Sequence, residues 1–244
     1  MTEKLEDGRP FRLKGVKSVW EGKKFSELKA TEQRYLKNSV LRATIFEQTD
    51  PQDKTSMFEI FNRLNTGGVA LSNQEIRNSL YGGEFSKFLT DLNFNLRWRS
   101  LLNTPLPDRR SRDIEMLLRF FALKEKWESY SKNMRDFLTN YMAENRNISK
   151  TKKEQFALIF NEIIDKLYDE LGPTTFRLQK VVNVSVFDSL MVALAVKGPL
   201  NVTDLRRKYQ ELLRDETYRD YVSRSTTDTD RVKGRIRIAL GKLA

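Results

Sequence analysis

The chain has 244 residues, 39% of them hydrophobic and 32% charged, a composition that gives a globular protein one sizeable core or two small ones. It contains no cysteine and no histidine, which excludes a disulfide, a thiolate nucleophile, an imidazole base and any His-containing nuclease motif of its own. Its 44 Lys and Arg against 33 Asp and Glu leave +11 and a pI near 9.7, a balance that favours an anionic partner, with nucleic acid the first candidate.

The positive charge is spread along the chain. Residues 1–80 carry 14 basic and 11 acidic side chains, 81–150 carry 13 and 9, and 151–244 carry 17 and 13, so no detachable basic arm is present. The longest apolar runs, such as Ser185 to Val196, are shorter than the roughly 18 residues a spanning helix needs, and Asp188 interrupts that one. The opening MTEKLEDGRP has no apolar stretch after its charges, unlike a signal peptide. With the lack of cysteine, these features predict a cytoplasmic protein with no membrane partner.

Strand-like patterns are confined to the first 47 residues. Phe11 and Leu13 alternate with Arg12 and Lys14, Val16 to Trp20 resumes after a glycine, and Val40 to Phe46 is β-branched and apolar. A small N-terminal β part is expected there. From Pro51 the period becomes helical: Met57, Phe58, Ile60, Phe61 and Leu64 form one face of a helix that the turn at Asn65-Thr66-Gly67-Gly68 ends. Ser72 with Glu75 makes a capping box, so a second helix opens at Ser72 and runs to Tyr81 before another Gly-Gly.

Further helices are predicted over 85–92, 108–127, 132–144, 152–171, 186–196, 202–214 and 229–243, with Pro105 and Pro107 marking the loop before the long one. The fold class is α+β, mostly α. Its predicted organisation is a partial core over residues 1–103 and a helical domain over 104–244, divided near Asn103–Pro107.

The densest functional signal is Phe58 to Gly83, FEIFNRLNTGGVALSNQEIRNSLYGG. Asn62, Arg63, Asn65, Gly67 and Gly68 gather amides and a guanidinium at one glycine turn beside a helix N-terminus, and Arg77 adds a second fork suited to phosphate. The plainer reading is a capped corner between two helices. Asp108, Asp113 and Glu115 beside Arg109, Arg110 and Arg112 read either as carboxylates for Mg2+ or as caps and ion pairs, and the latter is preferred. Ser223 to Thr227 around Arg224 would grip phosphate or simply cap the last helix. That helix sets Val232, Ile236, Ala239 or Leu240 and Leu243 on one face, leaving Arg231, Lys233, Arg235 and Arg237 largely elsewhere, where they would approach DNA. Trp98, between Arg97 and Arg99, is the aromatic candidate for base stacking.

The block Phe61, Asn65, Gly67 or Gly68, Leu71, Glu75 and Arg77 resembles the FxxxNxxGxxLxxxExR signature of the GmrSD-type restriction-endonuclease N-terminal domain family, also called domain of unknown function 262. The similarity extends to Asp108–Phe121 and to Ser223–Arg235. The resemblance implies a ParB-like, sulfiredoxin-like core, an NTP and Mg2+ as cofactors, and a place in prokaryotic anti-phage defence. The family's Asp-Gly-Gln-Gln-Arg motif does not occur in these residues. The chain therefore looks like a member beginning about one third of the way into the domain, catalytically silent without a missing N-terminal half, and distinct from the His-dependent partner nuclease. A non-enzymatic helical DNA-binding or scaffold module is the alternative.

Overall fold

The computed structural model describes residues 11–40, 45, 56–64 and 70–244. The chain divides into two compact units, Met1–Glu47 and Gln48–Ala244. Among the described residues there are twelve α-helices, two 3-10 turns and one isolated bridge between Arg177 and Val182, and no helix is long and apolar enough to cross a membrane.

Among the described residues of the first unit, loop and helix stand where the β part is expected. Gly15, with φ of 71°, ends the short alternation, and Trp20 N donates to Lys17 O at 2.8 Å, closing a turn where a strand was expected. The physical reason is that the described residues of this unit offer little apolar surface to cover a strand's inner face. Phe11, Val16 and Val19 are exposed, and Leu28 is the one buried apolar side chain among the unit's described residues. Of Val40–Phe46, only Val40 and Ile45 lie among the described residues, and both are exposed and outside any strand. Helix α1, Ala30–Lys37, is not foreseen by the apolar pattern. Its first turn is held by Glu32, which accepts from Lys29 N at 2.8 Å and Trp20 Nε1 at 2.7 Å, bonds that hold its carboxyl below the usual range, the Trp20 bond foremost.

The second unit contains α2 (Ser56–Leu64), α3 (Asn73–Leu80), α4 (Glu84–Leu92), α5 (Leu96–Leu102), α6 (Arg112–Lys126) and α7 (Met134–Glu144). It continues with α8 (Lys150–Leu171), α9 (Val184–Lys197), α10 (Leu205–Arg214), α11 (Glu216–Ser223) and α12 (Thr229–Lys242). Helix α9 is apolar around its whole circumference, which requires enclosure on every side. It is buried from Ser185 to Leu194 and packs on α6, α8, α11 and α12. Helix α12 docks with Val232, Ile236, Ala239 and Leu243 inward, the face the sequence assigns to it.

Two helices arise from caps rather than from apolar period. Asn95 Oδ1 accepts Trp98 N at 3.0 Å to start α5, and Asp215 Oδ1 accepts Tyr218 N at 2.9 Å to start α11. Asn103–Pro107 lies inside the second unit. Trp98, before that loop, packs its ring against Phe160, Phe176 and Phe187 after it, at centroid distances of 5.9, 6.2 and 5.4 Å.

Candidate functional site

Helices α2 and α3 pack on each other and form the corner singled out in the sequence. Asn62, half-buried, and Arg63, exposed, sit on the last turn of α2, while Asn65, Gly67 and Gly68 lie outside the described residues. Ser72 opens α3 by the reciprocal cap its spacing predicts. Its Oγ accepts Glu75 N at 3.2 Å, and Glu75 Oε2 accepts Ser72 N at 2.6 Å.

The same residues fasten the corner to the turn before α6. Ser72 Oγ donates to Arg110 O at 2.8 Å, Arg110 Nε lies 3.3 Å from Glu75 Oε2, and Arg110 Nη2 donates to Ala70 O at 2.5 Å. The start of α3 is therefore held from two sides, by its own cap and by a neighbouring turn.

Arg77, expected to contact phosphate, points into the protein and is 1% exposed. Its Nη1 donates to Gln74 Oε1 and Glu115 Oε2, both at 3.0 Å, its Nε to Thr139 Oγ1 at 3.2 Å and its Nη2 to Arg135 O at 3.3 Å. Phe58 carries this guanidinium at 5.7 Å and that of Arg135 at 5.9 Å. Burial depresses the Arg77 pKa and Glu115 opposes that effect, so the pair is kept as an ion pair. Every branch of the fork is committed to the protein. Arg77 thus positions the start of α3, while Arg63, at the end of α2, is exposed.

A second polar cluster lies deeper. Asp188, on the central apolar helix and fully buried, receives Arg119 Nε at 3.1 Å, a further short bond from Arg119 Nη2, and Arg235 Nη2 at 2.9 Å. Arg235 Nη1 also donates to Thr226 O at 2.5 Å, and Tyr130 Oη donates to Thr227 O at 2.6 Å. Burial pushes the Tyr130 phenol up to about 12. Glu115 and Arg119 stand one turn apart on α6 and join the two clusters. Arg77, the segment 108–121 and Arg235, far apart in sequence, are thereby linked through α6 and Asp188.

No family model, curated protein or solved structure matches the chain.

The residues expected to approach DNA divide by exposure. Arg224 and Arg237 are exposed, Arg237 lying 6.0 Å over the Trp127 ring, and Lys233 is half-buried. Arg231 is paired with Asp220 at 2.8 Å and stacks on Tyr221. Arg235 has no surface role, since its side chain is fully buried against Asp188. Trp98 is also excluded from stacking on a base: it is 0% exposed, with Nε1 donating to Asn93 Oδ1 at 2.9 Å.

The three carboxylates weighed for Mg2+ are each held by a base. Asp113 pairs with Arg99 at 2.8 Å, Glu115 with Arg77, and Asp108 with Arg112 at 2.9 Å. Partial burial pushes the Asp108 carboxyl up, but bonds from the Arg112 side chain and the Arg110 and Arg112 backbone outweigh it and hold it low. Among the described residues no three such groups converge to hold a metal. These carboxylates do not fit Mg2+. The residues the sequence did not single out are Asp188, Arg119 and the Arg135–Glu59 pair at 2.5 Å. Only Asp188 left a signal, as the one charge within an apolar run.

Proposed function

We propose that the chain is the nucleotide-sensing part of a GmrSD-type restriction system that acts in the prokaryotic cytoplasm against foreign DNA. The observation that supports this reading is the convergence of the three sequence blocks that carry the family resemblance on α6, through Arg110–Glu75, Arg77–Glu115 and Arg119–Asp188–Arg235. A corner fixed by so many charge-assisted bonds is preorganised, which suits a turn that must present amides to phosphate. Arg63 supplies the cation there, with Asn62, Asn65, Gly67 and Gly68 as the remaining wall. Arg77 is withdrawn from ligand contact to hold α3 in place.

The Asp-Gly-Gln-Gln-Arg residues that would complete the pocket do not occur in this sequence. The chain alone therefore binds an NTP and does not turn it over. Steady-state phosphate release by the purified chain tests this. Hydrolysis that Arg63→Ala or Asn65→Ala abolishes would contradict it.

A second reading is favoured by one observation, the exposure of Arg224 at the end of α11 and of Arg237 on α12. In that reading the chain is a helical DNA-binding module with no use for nucleotide.

A further inference from the structure

Three cavities of the second unit have charged linings. The one over Phe156 sets Lys124 and Lys152 against Glu125, and the one beside Lys132 contains Asp136 and Glu144. The third, of about 250 Å3 between the segment after α8 and the face of α10, is lined by Thr174, Arg177, Gln179, Arg206, Gln210 and Leu213, and no carboxylate lines it.

Arg177 is built into this wall. Its Nη1 donates to Leu101 O at 3.1 Å and to Pro173 O, and its Nη2 donates to Leu102 O at 2.6 Å. These carbonyls include the last turn of α5, where a cation is favoured. The guanidinium is thus fixed by carbonyls and paired with no carboxylate among the described residues, so its full charge is left to the cavity. Arg206 and Gln210, one turn apart on α10, line the same space. Neither side chain has a protein partner among the described residues, and the same holds for Thr174 and Gln179. Tyr209, by contrast, is committed to Thr175 O.

We propose that this cavity binds a phosphate group. Two guanidinia, two carboxamides and a hydroxyl, with no opposing acid, supply cationic charge and hydrogen-bond donors for the oxygens of a small oxyanion. The cavity volume leaves room for a group attached to the phosphate. This site lies apart from the α2–α3 corner and does not rest on the restriction-system reading.

The test is a titration of the full chain with inorganic phosphate and with pyrophosphate, followed by backbone amide chemical shifts, against sodium chloride at matched ionic strength. The expected result is a saturable shift confined to residues 174–179 and 205–210, caused by phosphate and not by chloride. Arg206 is exposed, so Arg206→Gln keeps the remaining spectrum and weakens phosphate about tenfold, the weight of one charge-assisted contact. A short single-stranded oligonucleotide that displaces phosphate from these residues upholds the site and identifies its source as a nucleic-acid backbone. If pyrophosphate displaces phosphate and the oligonucleotide does not, the site stands and takes a free phosphorylated molecule. Shifts matched by chloride, or unchanged by Arg206→Gln, overturn the proposal.

Discussion

Asp188 on α9 and Arg235 on α12 meet at 2.9 Å with both side chains fully buried. Arg119 on α6 shares the same carboxylate, so one acid joins three helices. Arg235 Nε has no hydrogen-bond partner among the described residues. Two guanidinia on one carboxylate leave an excess of buried positive charge, which makes the acid the member that cannot be removed.

Asp188→Ala is expected to destabilise the protein by about 3–5 kcal/mol, because it leaves two buried cations unpaired. Asp188→Asn keeps the shape and one acceptor oxygen but loses the charge and sets an amide donor against a guanidinium, so its loss lies close to that of Asp188→Ala. Urea unfolding with an unchanged m-value measures both. A loss below about 1 kcal/mol for Asp188→Ala is inconsistent with this role.

Arg77 and Arg63 separate structure from binding. Arg77→Ala removes four buried or part-buried hydrogen bonds and strands Glu115, at a cost of about 3 kcal/mol. Arg63→Ala, at an exposed position, changes stability by less than about 0.5 kcal/mol. Equal losses would mean that Arg63 is as structural as Arg77.

How much of this was legible in the sequence depends on distance along the chain. The Ser72–Glu75 cap and the inward face of α12 follow from spacings of three and four residues, and both are found. The roles of Arg119 and Arg235 were not legible, because their partner Asp188 lies 69 and 47 residues away and the sequence reads it only as a break in an apolar run. Arginines on a basic helix look like surface charge until the acid that buries them is placed. Asn95 and Asp215 are local cap signals, yet α5 and α11 are too short for apolar period to reveal. The N-terminal strands fail for the opposite reason. Alternation at Phe11 and Leu13 is present, but no sheet among the described residues buries it.

Alkaline pH should unfold the protein through its buried phenols. Burial raises Tyr130 and Tyr209 from 10.0 to about 12, and raises Tyr141 and Tyr218 as well. A raised folded-state pKa means the unfolded chain loses its phenolic protons first. The stability they contribute is complete below about pH 10 and is lost as pH rises toward 12. Tyr130→Phe and Tyr209→Phe flatten that fall in thermal scans between these limits. An unchanged slope contradicts the assignment.

Gly234, in the middle of α12, faces the Tyr221 ring so closely that an added Cβ would lie 2.2 Å from its Cε2. Alanine favours a helix by about 1 kcal/mol, but displacing the ring that stacks on Arg231 and overpacking this contact costs about 1–3 kcal/mol. Gly234→Ala is expected to destabilise the wild type and to stabilise a Tyr221→Ala background. Stabilisation in both backgrounds would show that α11 and α12 do not approach so closely.

The most direct measurement of the central claim is equilibrium binding of a fluorescent NTP analogue to the purified chain and to Arg63→Ala, with duplex DNA titrated separately over a range of salt. Saturable NTP binding, weakened about tenfold by Arg63→Ala, is expected. Absence of NTP binding, together with DNA affinity that falls steeply with salt and ignores Arg63, would contradict it and leave the helical DNA-binding module as the function.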